Sequence, residues 1–209
     1  MTRLGSSTST RGFKERIVAV MNVTELHRKA VENFAQKVQH VSVDQWDQPT
    51  PCSDWDVRML VNHLVYEERW TKPIVDGKTI EEVGSSLDGD LLGDDPVSAM
   101  AASAAEATAA VDERVPEAGT VHLSFGDFPI EEYVMQLVAD HLIHGWDLAA
   151  GIGANRIMDP ELVSVVAEWF APQEDLWREA GAIGPRFDAG GDPQSDLLAS
   201  YGRNPDWAS

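Results

Sequence analysis

Asp140-His141-Leu142-Ile143-His144 is the stretch that decides how this chain is read. It lies inside a helical pattern that starts near Ile130 and reaches Ala150, with Gly151 and Gly153 where a helix commonly stops. Asp140 and His144 are four residues apart, so their side chains share one helix face about one turn apart. A carboxylate and an imidazole at that spacing can grip one cation, as the two histidines do in an H-E-x-x-H helix. An Asp–His pair alone also satisfies a carboxylate on a face that carries Leu137 and Val138, and spacing does not decide between the two. His63 lies in a second apolar helix, placed to close the site from across a helical bundle. Three protein ligands leave a coordination position open, which marks catalytic rather than structural zinc.

The neighbours of this pair have quieter readings. His141 points roughly 100° away from Asp140 and is read as a helix–helix polar contact or a rim residue. Asp147, three residues after His144, is placed to orient the free ring nitrogen of that histidine. Cys52 sits just before a helix start, but no His or Lys in its own segment would activate it, so it is assigned to packing. His141 or His122 as a fourth ligand would indicate a closed structural site instead.

Outward from these residues the chain reads as helices. Helix one is expected over residues 23–41, from Leu26, Ala30, Val31, Phe34 and Val38. The second is capped by Ser53 or Asp54, carries Val57, Leu60, Val61, Leu64 and Val65, and ends near Pro73. A glycine-containing connection over residues 74–95 is long enough to wrap the surface or cover a site. Helix three follows Pro96 through Val111, then comes an extended piece over 120–125 that suggests a small hairpin. A fifth helix is expected from Pro160 to Ala180, and a short helical piece over 194–201. The fold class is therefore all-α: a helical bundle with one long crossover and an extra C-terminal helix. Residues 1–20 read as a flexible tail and 21–209 as one domain.

Composition excludes several classes. A formal net charge of -19 over 209 residues argues against nucleic acid and against anionic membrane surfaces. No apolar run reaches the length of a membrane span, and residues 1–20 lack the apolar core of a secretory signal. A single cysteine cannot form an internal disulfide, which suits a reducing cytoplasm. Asp88, Asp90, Asp94 and Asp95 do not match the spacing of a calcium loop.

The run Pro49-Thr50-Pro51-Cys52-Ser53-Asp54-Trp55-Asp56-Val57-Arg58-Met59-Leu60-Val61-Asn62-His63-Leu64 resembles the TPC-x-x-W-x-V-x-x-L-x-x-H segment of actinobacterial relatives of the mycothiol-dependent maleylpyruvate isomerase, whose metal-binding domain is DinB-like. His144-Gly145-Trp146-Asp147-Leu148-Ala149 resembles the H-x-x-D-L-A signature of the same family, and residues 87–93 and 121–127 resemble its short single-domain branch. The resemblance implies a four-helix bundle holding one divalent ion, most simply zinc, by His63, Asp140 and His144, with Asp147 in support. It implies mycothiol as a thiol cofactor and a small electrophilic substrate, and it leaves room for a homodimer. Two departures stand out. The carboxylate is Asp where the isomerase has Glu, and the chain is too short for the C-terminal domain that the isomerase brings to its active site. That weighs against maleylpyruvate isomerisation and leaves thiol activation at the metal. The alternative is a non-enzymatic metal-binding scaffold or sensor.

Overall fold

The computed structural model describes residues 22–208. The tail expected over residues 1–20 lies outside the described residues. Helix α1 spans Val23–Val38, α2 Val57–Val75, α3 Ile80–Val83 and α4 Pro96–Arg114. A two-stranded antiparallel hairpin follows, β1 Thr120–Leu123 and β2 Gly126–Pro129. Then come α5 Ile130–Gly151, α6 Pro160–Phe170, α7 Glu174–Glu179 and α8 Pro193–Ser200. The protein is mostly helical, and the hairpin is the one sheet among the described residues.

The long helices pack on one another: α1 against α4 and α5, and α2 against the same two. Their apolar faces make two cores. One joins Leu26 and Ala30 of α1 to Tyr133, Val134, Leu137 and Val138 of α5, and continues into α6 and α8. The other joins Val31, Phe34 and Val38 to Leu60, Val61 and Leu64 of α2, with Met100 and Leu148. Burial of such side chains, at ~1.5–3 kcal/mol each, is what holds these helices together.

The helix ends follow local chemistry, with two departures from the sequence reading. The cap of α2 is Asp56, whose Oδ1 accepts from Met59 N at 2.8 Å, and not Ser53 or Asp54. Those two residues belong to a tight loop closed on Thr50, whose hydroxyl donates to the Trp55 carbonyl at 2.8 Å and accepts from Cys52 N at 3.2 Å. As expected, α2 ends near Pro73, two residues later at Val75, with Ile74 and Val75 buried in the first core. The fifth predicted helix is two helices, because Pro172 has no N–H to donate and the chain turns there before α7.

The long connection is partly structured. Thr79 and Glu82 form a capping box around α3. Residues 89–93 are then pinned along α2: Asn62 Nδ2 donates to the Gly89 carbonyl at 3.1 Å and its Oδ1 accepts from Leu91 N at 2.7 Å. Gly151 ends α5 against the 49–56 loop. A Cβ there would lie 3.0 Å from the Pro49 carbonyl and 3.3 Å from side-chain carbons of Thr50 and Val57. That close approach docks the loop, with Cys52 and Trp55, against the last turns of α5.

His27 is a buried exception to polar satisfaction. It is fully buried, and neither ring nitrogen has a hydrogen-bond partner. Burial, and next the charge of His141, depress its pKa from 6.5 to about 3. The folded protein therefore keeps His27 neutral, while the unfolded chain takes up a proton below pH 6.5. Stability from this group is complete above pH 6.5 and is lost as the pH falls toward 3, at about 1.4 kcal/mol per pH unit. In metal-free protein, urea unfolding at pH 7 and pH 5 is expected to differ by roughly 2 kcal/mol less in His27→Leu than in the wild type. Equal pH dependence in the two would show that His27 is not the acid-sensitive group.

Candidate metal centre

Asp140 and His144 sit one turn apart on α5, as their spacing requires, and His63 of α2 faces them across the helix pair. His63 Nε2 lies 3.1 Å from Asp140 Oδ2, and His144 Nε2 lies 3.3 Å from Asp140 Oδ1. One ligand atom from each of the three residues falls within 4.8 Å of the others. His144 is buried, while the side chains of His63 and Asp140 remain 24% and 30% exposed, so the cluster opens toward solvent on one side. Burial acts to raise the Asp140 carboxyl, but His144 and then His63 outweigh it and hold the group well below the usual carboxylate range. Burial acts to lower His144, but Asp140 leads a set of partners that raise it well above 6.5. The arrangement stabilises positive charge between the imidazoles and Asp140, whether a proton or a cation.

Behind His144 lies a second layer. Asp147, fully buried, accepts at Oδ2 from His144 Nδ1 at 2.9 Å. Asp147 also receives Arg203, from Nε to Oδ1 at 3.0 Å and from Nη2 to Oδ2 at 3.0 Å. The sequence reading placed Asp147 as the partner of that ring nitrogen, and the geometry agrees. It did not anticipate Arg203, which follows α8 and reaches back 56 residues to α5. Gly202 makes this return possible: its φ is +72°, and a Cβ there would strike the Gly184 backbone at 2.9 Å.

Cys52 is not the packing residue that its own segment suggests. Its Sγ donates to Asp147 Oδ2 at 3.3 Å, accepts from Arg203 Nη2 at 2.9 Å and lies 3.8 Å from His144 Nδ1. The charged partners that its segment lacks come from α5 and from the C-terminal stretch. Cys52, His144 and Asp147 thus form a second group close enough to share an ion, overlapping the first at His144.

Other residues complete the surroundings. Trp55 lies over both imidazoles, its ring centroid 4.6 Å from His63 and 5.5 Å from His144. Glu67 is one turn after His63; burial, and next the charge of Asp140, push its carboxyl up to about 7. His141 points away into the interior, where Nε2 meets Glu68 Oε1 at 3.0 Å, so the helix–helix contact expected of it is present. His122 is on the hairpin, paired with Asp127 at 2.8 Å. Neither joins the cluster as a fourth ligand. A pocket of about 480 Å³ opens beside His63, between α2 and residues Gly89 and Asp90 of the long connection.

Residues 27–149 match the family described as the mycothiol maleylpyruvate isomerase N-terminal domain. The chain belongs to that family. The match carries His63, Asp140 and His144 within it, together with Cys52 and Asp147. Two uncharacterized proteins, from two strains of Mycobacterium tuberculosis, are 30% identical over 174 residues, covering 81% of this chain and 84% of theirs. Among solved structures, the mycothiol-dependent maleylpyruvate isomerase is similar in fold, with a TM-score of 0.60 at 17% identity, covering 83% of this chain and 76% of its own. A histidine-to-alanine mutant of that isomerase gives a TM-score of 0.57 at 16% identity over the same shares. The likeness extends well beyond residues 27–149, and among the described residues no helix is long and apolar enough to cross a membrane.

Proposed function

We propose that this family member is a cytoplasmic, metal-dependent enzyme that uses mycothiol to act on a small electrophilic substrate, and that residues 21–209 form a DinB-like four-helix bundle around the metal. The convergence of His63, Asp140 and His144 beside an open pocket carries this reading. Two imidazole nitrogens and a carboxylate are a suitable donor set for a divalent ion, zinc first, with a position left for a ligand from solution. A divalent ion bound there would hold a coordinated thiol as its thiolate at neutral pH.

The residues of the chain prepare the rest. Asp147 accepts the His144 Nδ1 proton and so leaves Nε2 facing Asp140. Arg203 holds Asp147 in place from the other side. Trp55 packs against one side of the two imidazoles. Glu67, one turn from His63 and raised by burial, places a further carboxyl beside the cluster. In thiol transfer the sulfur lone pair forms the new bond to the electrophilic carbon, and the leaving group departs with the old bonding pair. The pocket beside His63 favours an enzyme over the alternative of a scaffold or sensor.

A cobalt-substituted protein tests this reading. Mycothiol, or a simple thiol mimic, is expected to add sulfur-to-metal charge-transfer absorption, and turnover of thiol-reactive electrophiles should be lost in Asp140→Ala with the helical content retained. A cobalt spectrum that saturating thiol leaves unchanged would favour the scaffold.

A further inference from the structure

The pocket beside His63 has a definite chemical character. Two of its polar side chains, Arg58 and Asn62, are already engaged by the connecting segment. Arg58 Nη2 donates to Asp90 Oδ2 at 2.8 Å and to the Gly93 carbonyl at 2.9 Å. The Asp90 carboxylate is itself aimed by its Oδ1, which accepts from Leu92 N at 3.0 Å. Both ends of the Asn62 amide are bound to the same segment, at Gly89 and Leu91. Among the described residues no lysine lines the pocket. The other nearby arginine, Arg203, gives its Nε and Nη groups to Asp147, Cys52 and the Tyr201 carbonyl.

What the pocket still offers is mostly apolar. Trp55 and Tyr66 present partly exposed rings, and Met59 is 50% exposed on the pocket wall with no core to fill. An organic anion entering here meets Asp90, in a chain of net charge -19, and among the described residues the one lining arginine or lysine, Arg58, is already paired with that carboxylate. We propose that this pocket takes an uncharged electrophile with an aromatic or aliphatic body, and that Asp90 sets this preference by engaging Arg58. The inference rests on the enzyme reading above, and it names the substrate class of the same site. Asp90 is a specificity-determining residue: without its charge, the Arg58 guanidinium is free to pair with a carboxylate on the ligand.

Binding of benzamide and benzoate, which differ in charge and little in shape, tests this without relying on turnover. Measurements on the full chain at low salt, with chelator present, prevent the carboxylate from binding an ion directly. The methyl resonance of Met59 reports binding in this pocket. Benzamide is expected to bind about five-fold more tightly than benzoate, or ~1 kcal/mol. Asp90→Asn keeps the acceptor for Leu92 N but removes the charge, and is expected to bring benzoate at least level with benzamide. Adding Arg58→Gln should cancel that gain. Benzoate binding as tightly as benzamide to the wild type, a preference unmoved by Asp90→Asn, or no shift of Met59 with either ligand would each overturn the proposal. A failed cobalt–thiol test with these binding ratios intact would instead count against the thiol chemistry.

Discussion

Replacing Asp147 by alanine is expected to cost about 3–5 kcal/mol of stability, the range for removing one partner of a buried ion pair. The carboxylate is fully buried and neutralises Arg203, whose side chain is only 16% exposed. It also accepts from His144 Nδ1 at 2.9 Å. Alanine leaves the guanidinium without a counter-ion and the imidazole free to rotate or change tautomer. Metal affinity is expected to fall roughly 10–100-fold, the usual effect of losing a residue that orients a ligand. Asp147→Asn keeps an acceptor without the charge and should fall between. Urea denaturation reads the first effect and metal titration the second. A stability loss with unchanged metal affinity would confine Asp147 to the fold.

His63→Ala, Asp140→Ala and His144→Ala should each remove most of the metal, about one ion per chain in the wild type. Each deletes one of three donors, so the loss should exceed the ~100-fold upper figure for an orienting partner. His40→Ala and His122→Ala should keep full occupancy, since His40 lies just beyond α1 and bonds the Gln36 carbonyl, and His122 pairs with Asp127. Because the folded state alone presents the site, metal at a hundred times its Kd adds about 2.7 kcal/mol, and a chelator should lower the melting temperature accordingly. Acid should release the ion as protons compete for the imidazoles, below their free pKa of about 6.5. Full occupancy in His63→Ala would remove the α2 side of the site.

Local signals predicted the helices well because they are local. Pro96, Pro160 and the apolar stripes of α1, α2 and α5 act within a turn or two, and those elements stand close to where they were placed. The misplaced cap of α2, at Asp56, has a tertiary cause: a loop closed on Thr50. The pair Asp140 and His144 was legible because four residues make one turn. Arg203 and the true surroundings of Cys52 were not, because Arg203 lies 56 residues from Asp147 and 151 from Cys52. No periodicity reports contacts of that kind. The C-terminal stretch shows no periodic signal beyond the short helical piece over 194–201, yet through Arg203 it supplies the charge that holds Asp147.

X-ray absorption of the zinc-loaded protein tests the central assignment most directly. It separates the two overlapping groups, His63–Asp140–His144 and Cys52–His144–Asp147. The first predicts only nitrogen and oxygen neighbours, at about 2.0–2.2 Å, with a sulfur shell near 2.3 Å appearing once thiol is added. A sulfur shell in the thiol-free protein, lost in Cys52→Ala, would place the ion on Cys52 and contradict the account.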